Sequence, residues 1–258
     1  MGEMGTFLTP EAADRAANAL IDARVQRRWL TALPDGCVPQ TREDAYFIHE
    51  LLAARLGPVG AFKVHVEATG PRASLVFAST VYTSPARIPA ESLHVFGIET
   101  EFGFSFGRDL PPRSGGYSEN EVLDAVGAVH AAIEIVDSRF ADWKGVSEAP
   151  KLADNGGNAG IVIGPAYADW RGVDFTRNAV RLLIDGKEAA RAAGSRDGIQ
   201  PLRALAWLAS TYAPRFGGIR RGQVIMTGSC TGITLAYPGA SIVADFGSLG
   251  QASIVFET

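Results

Sequence analysis

Glu99 and Glu101 have a spacing that places two carboxylates on one side of a strand. The segment 95–106 alternates between a largely aromatic set of positions and a second set that holds both glutamates, and residues two apart on a strand share a face. Two like charges about 7 Å apart repel unless water, a base or a cation lies between them. Gly97 and Gly103 flank the pair and are expected to leave room for something to approach. A divalent cation bound by carboxylate oxygens explains the pattern; a solvated strand face is the alternative, which this segment alone favours.

A third and a fourth acid follow in the segment 133–139, where Glu134 and Asp137 stand among isoleucine and valine. Acids in apolar surroundings are costly unless they are paired or bind a ligand. As a strand, this segment would place the two acids on opposite faces, so that only one could join the first pair. For Glu134 the ligand and structural interpretations are equally open. For Asp137 an internal salt bridge with Arg139 or another base is preferred.

Lys63 lies within an apolar strand pattern, residues 61–66. If its side chain points inward, burial would lower its pKa and make it a candidate acid or base. If it points outward, it is a solvated charge on an edge strand, and by itself this is the better interpretation. His65 shares the same face and is equally ambiguous.

Two polar, glycine-rich segments, residues 153–160 and 227–232, are further candidates. Asp and Asn readily form turns, so a turn alone explains the first segment. The second gathers hydroxyl and backbone N–H groups that can hold an anion, although it lacks the pattern of a Walker loop. The residues that these segments contribute are Asp154, Asn155, Ser229 and Thr231.

The elements that must position these residues change type near residue 60. Thr9-Pro10-Glu11 is typical of a helix start, and Thr41 with Asp44 resembles a capping box that opens a second helix. From residue 61 the apolar period becomes two. Strands are predicted at residues 62–66, 74–81, 95–106, 223–227, 232–237, 241–246 and 252–256.

Two helices are predicted inside this strand-rich part. The first opens with Ser118 and Glu121 and carries an apolar stripe from Val122 to Ile133, and the second covers residues 201–212. Most strands have no helix after them, which argues against a series of βαβ units. The sequence therefore predicts an α+β protein of a single domain, residues 1–258, with a helical N-terminal part (1–60) and a β body (61–258) that carries the site.

Composition excludes several classes of function. The chain has 258 residues with a formal net charge of −4, which gives no electrostatic case for nucleic acid or an anionic membrane surface. No apolar run approaches the roughly 20 residues of a membrane span, and the first residues lack a signal-peptide pattern. Two cysteines, Cys37 and Cys230, are too few for a disulfide framework, so a cytoplasmic location is expected. The four histidines are scattered, which favours oxygen ligands for any metal.

Taken together, these segments resemble the fumarylacetoacetate hydrolase superfamily, in the branch of 2-keto-4-pentenoate hydratases and 4-oxalocrotonate decarboxylases. The resemblance extends over nearly the whole chain. Its most specific blocks are Glu99-Thr100-Glu101, Glu134-Ile135-Val136-Asp137-Ser138-Arg139 and Ala153-Asp154-Asn155, in that order. The family usually has Gln where this chain has His49.

The resemblance implies a twisted, mixed β core, an oligomeric assembly and a metal-dependent lyase. The family's metal ligands fall on Glu99, Glu101 and Glu134, which would bind Mg²⁺ or Mn²⁺, and its active-site lysine falls on Lys63. A 2-oxo acid can chelate such a cation, which then stabilises the enolate. In the hydratase, a 2-hydroxypenta-2,4-dienoate takes up water; in the decarboxylase, a 2-oxohex-3-enedioate loses CO₂.

The chain departs from the family pattern after the lysine. Typical hydratases carry an acid after a proline where this chain has Pro71-Arg72. That acid is thought to assist proton transfer, so we expect Arg72 or His65 to contact a different substrate, such as one with a second carboxylate. The first interpretation is a hydratase of aromatic catabolism and the second a decarboxylase. An acylpyruvate hydrolase and a catalytically idle partner of a related pathway enzyme are further alternatives.

Overall fold

The computed structural model describes residues 8–67, 69–195 and 201–258 of the chain. The opening residues 1–5, on which the expectation of no signal peptide rests, lie outside this part. Five α-helices occur in the described residues: α1 Pro10–Gln26, α2 Arg42–Leu56, α3 Glu119–Ala125, α4 Glu148–Ala153 and α5 Pro201–Trp207. A π-helical turn, Leu208–Tyr212, continues α5. No helix within these ranges is long and apolar enough to cross a membrane.

The strands form two mixed sheets. They are β1 Val59–Glu67, β2 Gly70–Phe77, β3 Val81–Thr83, β4 Ala86–Pro89, β5 Gly97–Phe106, β6 Val126–Val136, β7 Asn158–Ile163, β8 Ala179–Ile184, β9 Lys187–Ala193, β10 Val224–Ser229, β11 Thr234–Leu235, β12 Ser241–Asp245 and β13 Gln251–Glu257. The first sheet has the order β2-β1-β10-β5-β6-β7-β3, with β11 also paired to β5, and the second has the order β4-β13-β12-β8-β9. Parallel pairs (β1 with β10, β3 with β7, β4 with β13) stand beside antiparallel ones, which confirms the α+β class.

The helix starts predicted in the N-terminal part are confirmed. The Thr9 hydroxyl accepts a hydrogen bond from the Ala12 N–H at 3.2 Å, with Pro10 as the first residue of α1. Thr41 and Asp44 form a reciprocal capping box at the start of α2. Because each bond satisfies a backbone donor that the helix leaves free, local sequence alone sets where α1 and α2 begin.

Strand β5 separates a core from a polar face, as its alternation predicts. On one side, Phe102 and Phe104 are buried and pack against Phe175 with ring centroids 5.2 and 5.3 Å apart. Aromatic pairs at this distance contribute to stability beyond their buried area. The opposite side of β5 carries Glu99 and Glu101, so the aromatic core fixes the direction in which these carboxylates point.

The long helix predicted from Ser118 to Ile133 is wrong. Helix α3 ends at Ala125, and strand β6 begins at Val126 between β5 and β7. Almost every residue of β6 is buried because the strand is covered on both faces. A strand buried on both faces is apolar throughout and therefore also shows the period of a helix. Its valines and isoleucines are the signal that favours a strand.

The expectation that Gly97 and Gly103 leave room for a ligand is also wrong. A Cβ placed on Gly97 would lie 2.8 Å from the Val136 Cβ, and one on Gly103 would lie 3.1 Å from the Val224 Cγ1. Side chains of neighbouring strands therefore occupy the space beside both glycines. These glycines allow close packing within the sheet and do not open the site.

His49 of α2 is buried between two polar groups. Its Nε2 lies 2.6 Å from the Leu152 carbonyl oxygen, and its Nδ1 lies 2.7 Å from the Tyr212 hydroxyl. Because a carbonyl can only accept, the neutral ring donates from Nε2 and accepts the Tyr212 O–H at Nδ1. Burial lowers the pKa of His49 to about 4, and the charge of Arg215 adds to this.

We expect His49 to weaken the fold in acid. The unfolded chain binds a proton near pH 6.5 and the folded chain only near pH 4, so stability falls as the pH drops through this window, by at most about 3 kcal/mol. His49→Gln keeps one donor and one acceptor but does not titrate. Urea unfolding at pH 7.5 and pH 4.5 should show a smaller loss for the variant. An equal loss for both proteins would contradict this role of His49.

Candidate metal centre and active site

Three carboxylates converge on the polar face of the first sheet. Glu99 lies directly opposite Glu134 in the antiparallel pairing of β5 with β6, and Glu101 lies two residues further along β5. Each acid offers one oxygen, and these three oxygens lie within 4.8 Å of one another. Glu134 is fully buried and Glu101 is 3% exposed. Such a cluster of oxygen ligands on rigid strands can hold a hard divalent cation.

The surroundings of the three acids fit a cation. Glu101 Oε2 and Glu134 Oε2 are buried and have no hydrogen-bond partner among the residues that the structure describes. Burial and then the charge of Glu134 raise the pKa of Glu101 well above its ordinary value. The cluster therefore lacks compensating positive charge, and two of its oxygen atoms are available as ligands. A Mg²⁺ or Mn²⁺ ion would supply the positive charge and bind these oxygens.

Lys63 points inward from β1, and its Nζ forms an ion pair with Glu134 Oε1. Burial opposes the charge of Lys63, but the charges of Glu134 and Glu101 outweigh this and raise its pKa. Strands β10 and β5 separate β1 from β6, a spacing of roughly 14 Å in a flat sheet. The sheet must therefore curve for this contact to form, and the curvature encloses the site.

Neighbouring residues hold Glu134 of β6 and Asp137, which directly follows this strand. Asn158 on β7 donates from Nδ2 to Glu134 Oε1 at 3.0 Å. Asp137 Oδ1 accepts hydrogen bonds from the backbone N–H groups of His94 (3.1 Å) and Val95 (2.7 Å). Asp137 is thus a structural residue, as preferred from the sequence, but Arg139 pairs with Asp154 and not with Asp137.

A cavity of about 210 Å³ lies over the three acids. The sequence-predicted residues that line it are Lys63, Arg72, Glu99, Glu101, Glu134 and Ser229, together with His65. Arg72 is already engaged, because its guanidinium lies 3.0 Å from Glu67 and 2.9 Å from Glu148. The individual roles of these residues stay predictions, but all of the residues line one cavity.

Three predicted substrate-binding residues do not line this cavity. Asp154 pairs with Arg139 and accepts the Ser138 hydroxyl at 2.9 Å. Asn155 accepts the Leu75 N–H at 3.0 Å, and Thr231 shares a 3.0 Å hydrogen bond with Thr100. Their substrate contacts stay predictions, while the observed bonds give each a part in positioning the loops and strands around the site.

Trp143 and Lys151 line the cavity although the sequence analysis missed them. Lys151 stands two residues before the Ala153-Asp154-Asn155 block, on the short helix α4. Trp143 lies in the connection between β6 and α4. Neither residue has a spacing that signals chemistry, because the chain must fold before they approach the acids.

Asp154→Ala should destabilise the protein by about 3–5 kcal/mol, because it leaves the buried Arg139 guanidinium without its counter-charge. Asp124→Ala is the matched control, since Asp124 forms an exposed pair with Arg171 at 3.5 Å. Urea unfolding of both variants measures the difference. A loss for Asp154→Ala no greater than that of the control would contradict a structural role for Asp154.

Comparisons with known proteins relate this chain to one family and its fold to that of a solved structure. The family model for the fumarylacetoacetate (FAA) hydrolase C-terminal region matches residues 58–255. A 2-keto-4-pentenoate hydratase from Paraburkholderia xenovorans is 28% identical over 97% of both chains, and one from Burkholderia vietnamiensis is 30% identical over 72% of this chain and 70% of its own. The fold also matches a 4-oxalocrotonate decarboxylase from Pseudomonas putida, complexed with magnesium and adipate, at 22% identity and a TM-score of 0.84, over 98% of this chain and all of the other.

Proposed function

The chain belongs to the fumarylacetoacetate hydrolase family, and on that premise we propose that it is a metal-dependent lyase of the 2-keto-4-pentenoate hydratase type. Its substrate is a short unsaturated 2-hydroxy or 2-oxo acid, to which it adds water. The observation that carries the proposal is the placement of three carboxylate oxygens within 4.8 Å of one another, beside the inward lysine Lys63.

Glu99, Glu101 and Glu134 would hold the cation, Mg²⁺ or Mn²⁺. When bound, such an ion supplies a Lewis acid for the carboxylate and the 2-oxo oxygen of the substrate. The strands that carry the three acids are fixed by their pairing, so the ligands need little rearrangement when the substrate arrives.

Lys63 is the group that moves the proton. Its Nζ contacts the carboxylate cluster, and the residue lines the cavity in which a dienol would bind, so we assign to it the transfer of a proton to the distal carbon. Addition of a proton at that carbon (C5), with loss of the proton of the 2-hydroxyl group, gives the 2-oxo-3-enoic acid. Water then adds across the C3–C4 double bond, with its hydroxyl at C4 and a proton at C3, to give the 4-hydroxy-2-oxo acid. The charge of Glu134 raises the pKa of Lys63 and so keeps it in the protonated form, which is the form that carries the proton to be transferred.

Decarboxylation of a 2-oxohex-3-enedioate is the second candidate. The observation that favours it is Arg72, a cation that lines the cavity where typical hydratases carry an acid. The carboxyl group that assists proton transfer in hydration is thereby replaced by a guanidinium group, which can bind a carboxylate of the substrate.

We further infer a homo-oligomer in the cytoplasm, acting as one unit over residues 1–258, in a pathway that degrades aromatic rings. The oligomer and any pathway partner follow from the family alone. Native mass spectrometry of the purified protein tests the oligomer.

The proposal is tested by following ultraviolet absorbance of 2-hydroxypenta-2,4-dienoate and of 2-oxohex-3-enedioate with the purified protein, in EDTA and in added Mg²⁺ or Mn²⁺. Metal-dependent consumption of the dienol supports hydration, and consumption of only the dicarboxylate supports decarboxylation. Equal rates with and without metal would contradict both.

A further inference from the structure

Lys151 lines the cavity and has no ion-pair partner among the residues that the structure describes. It lies on α4 and is half-buried. Other cations near the site are compensated: Lys63 pairs with Glu134, and Arg72 with Glu148. A lysine that lines the cavity without a counter-charge can offer its ammonium to an anion that enters from outside.

Among the charges at the carboxylate cluster and Lys151, the positive charge of Lys151 is the one that is not balanced. Glu99, Glu101 and Glu134 carry three negative charges, which one divalent ion and the ammonium of Lys63 balance. Lys151 lies outside this balance, so its charge remains available.

The charges around Arg72, which lines the cavity, are balanced as well. Arg42 and Arg72 face Glu67 and Glu148, with distances of 2.9 to 3.2 Å between charged atoms. Two cations therefore meet two acids. An anion drawn to this end of the cavity has Lys151 as its uncompensated partner.

The position of Lys151 suits the far end of a substrate. In the pairing of β1 with β2, Ser74 lies opposite Lys63, and Arg72 lies opposite His65. Arg72 therefore stands about 7 Å from Ser74 along the same face of β2. Arg72 contacts Glu148, which opens α4, and Lys151 lies three residues later on the same side of that helix.

We propose that Lys151 binds a second, distal carboxylate of the substrate, so that the site prefers 2-oxo dicarboxylates over 2-oxo acids with an apolar tail. The inference rests on the proposed function, since the 2-oxo end must lie at the three glutamates. Lys151 makes a charge-assisted hydrogen bond to the distal carboxylate, and Arg72, held in place by Glu67 and Glu148, adds to the positive potential there.

Binding of 2-oxoadipate and 2-oxohexanoate tests this directly. The two ligands share the 2-oxo end and the chain length and differ in the terminal carboxylate. Isothermal titration calorimetry in saturating Mg²⁺ should show that the wild type binds 2-oxoadipate about tenfold or more tightly than 2-oxohexanoate. Lys151→Met should remove this preference and leave 2-oxohexanoate binding within about twofold.

Two variants control for indirect effects. Lys151→Arg keeps the charge and should keep most of the preference. Lys144→Met removes an exposed lysine that stacks over Trp143 and does not line the cavity, and it should change neither affinity. Circular dichroism verifies that each variant is folded.

The possible failures are distinguishable. If the wild type turns over the dienol with Mg²⁺ but binds both ligands equally, or if Lys151→Met keeps the preference, the role of Lys151 is wrong and the proposed function stands. If the wild type neither binds these ligands nor turns over either substrate, both proposals are wrong.

Discussion

Replacing Glu101 by glutamine should reduce metal-dependent kcat/KM by about a thousandfold or more and should also stabilise the metal-free protein. Glu101 is buried beside two other acids, and one of its oxygens has no hydrogen-bond partner in the described part of the chain. Glutamine keeps the shape but removes a buried charge that repels its neighbours. Without metal, the free energy of unfolding should rise by about 1 kcal/mol.

These opposite effects separate a metal ligand from a structural residue. A residue needed for folding would lower both activity and stability when it is replaced. Glu91→Gln serves as the control, because the Glu91 side chain is 67% exposed and its ion pair with Arg27 spans 3.8 Å. Steady-state kinetics in Mg²⁺ and urea unfolding in EDTA give the two readouts. Full activity in Glu101→Gln would refute its role as a ligand.

Lys63→Met should lower kcat/KM by about a thousandfold while the protein still binds its cation. The variant removes the ammonium that contacts Glu134 and lines the cavity. Because that ammonium repels a divalent ion, metal affinity should be equal or higher in the variant. Mn²⁺ titration together with steady-state kinetics measures both effects on one preparation.

Lys63→Arg provides a sharper comparison for the same residue. Arginine keeps the positive charge beside Glu134 but does not release its proton in the accessible pH range. If Lys63 moves a proton, this variant should be nearly as inactive as Lys63→Met. If it recovers most of the activity, Lys63 acts only through its charge, and the proton must move elsewhere.

Local pattern was sufficient to predict the parts of the site that lie on one strand. The alternation of β5 places Glu99 and Glu101 on one face, and the capping residues mark where α1 and α2 begin. In both cases the deciding contacts lie within a few residues, so spacing alone carries the information.

The features of the site that depend on pairing between distant strands are harder to predict from the sequence. Glu134 joins the cluster because it lies opposite Glu99, a register that the local sequence of β6 does not contain. The same strand was predicted as a helix because burial on both faces hides the period of two. Gly97 was predicted to open the site, yet Val136 of the neighbouring strand fills that space.

The role of Lys151 likewise cannot be predicted from its local sequence. Lys151 becomes a candidate only when the fold brings α4 to the cavity, where Glu148 of that helix also contacts Arg72 of β2. The family resemblance supplied the three acids and Lys63, but it does not point to a lysine at this position.

Binding of Mn²⁺ to protein stripped with EDTA tests the central claim most directly. The electron paramagnetic resonance signal measures the concentration of free Mn²⁺, and the number of bound ions follows by difference from the total. This measurement requires no substrate. The metal centre built from Glu99, Glu101 and Glu134 predicts a single bound Mn²⁺ per chain, and predicts that Glu101→Gln loses it while remaining folded. If the wild type binds no Mn²⁺, or if the variant binds it equally well, the three glutamates do not form the metal centre.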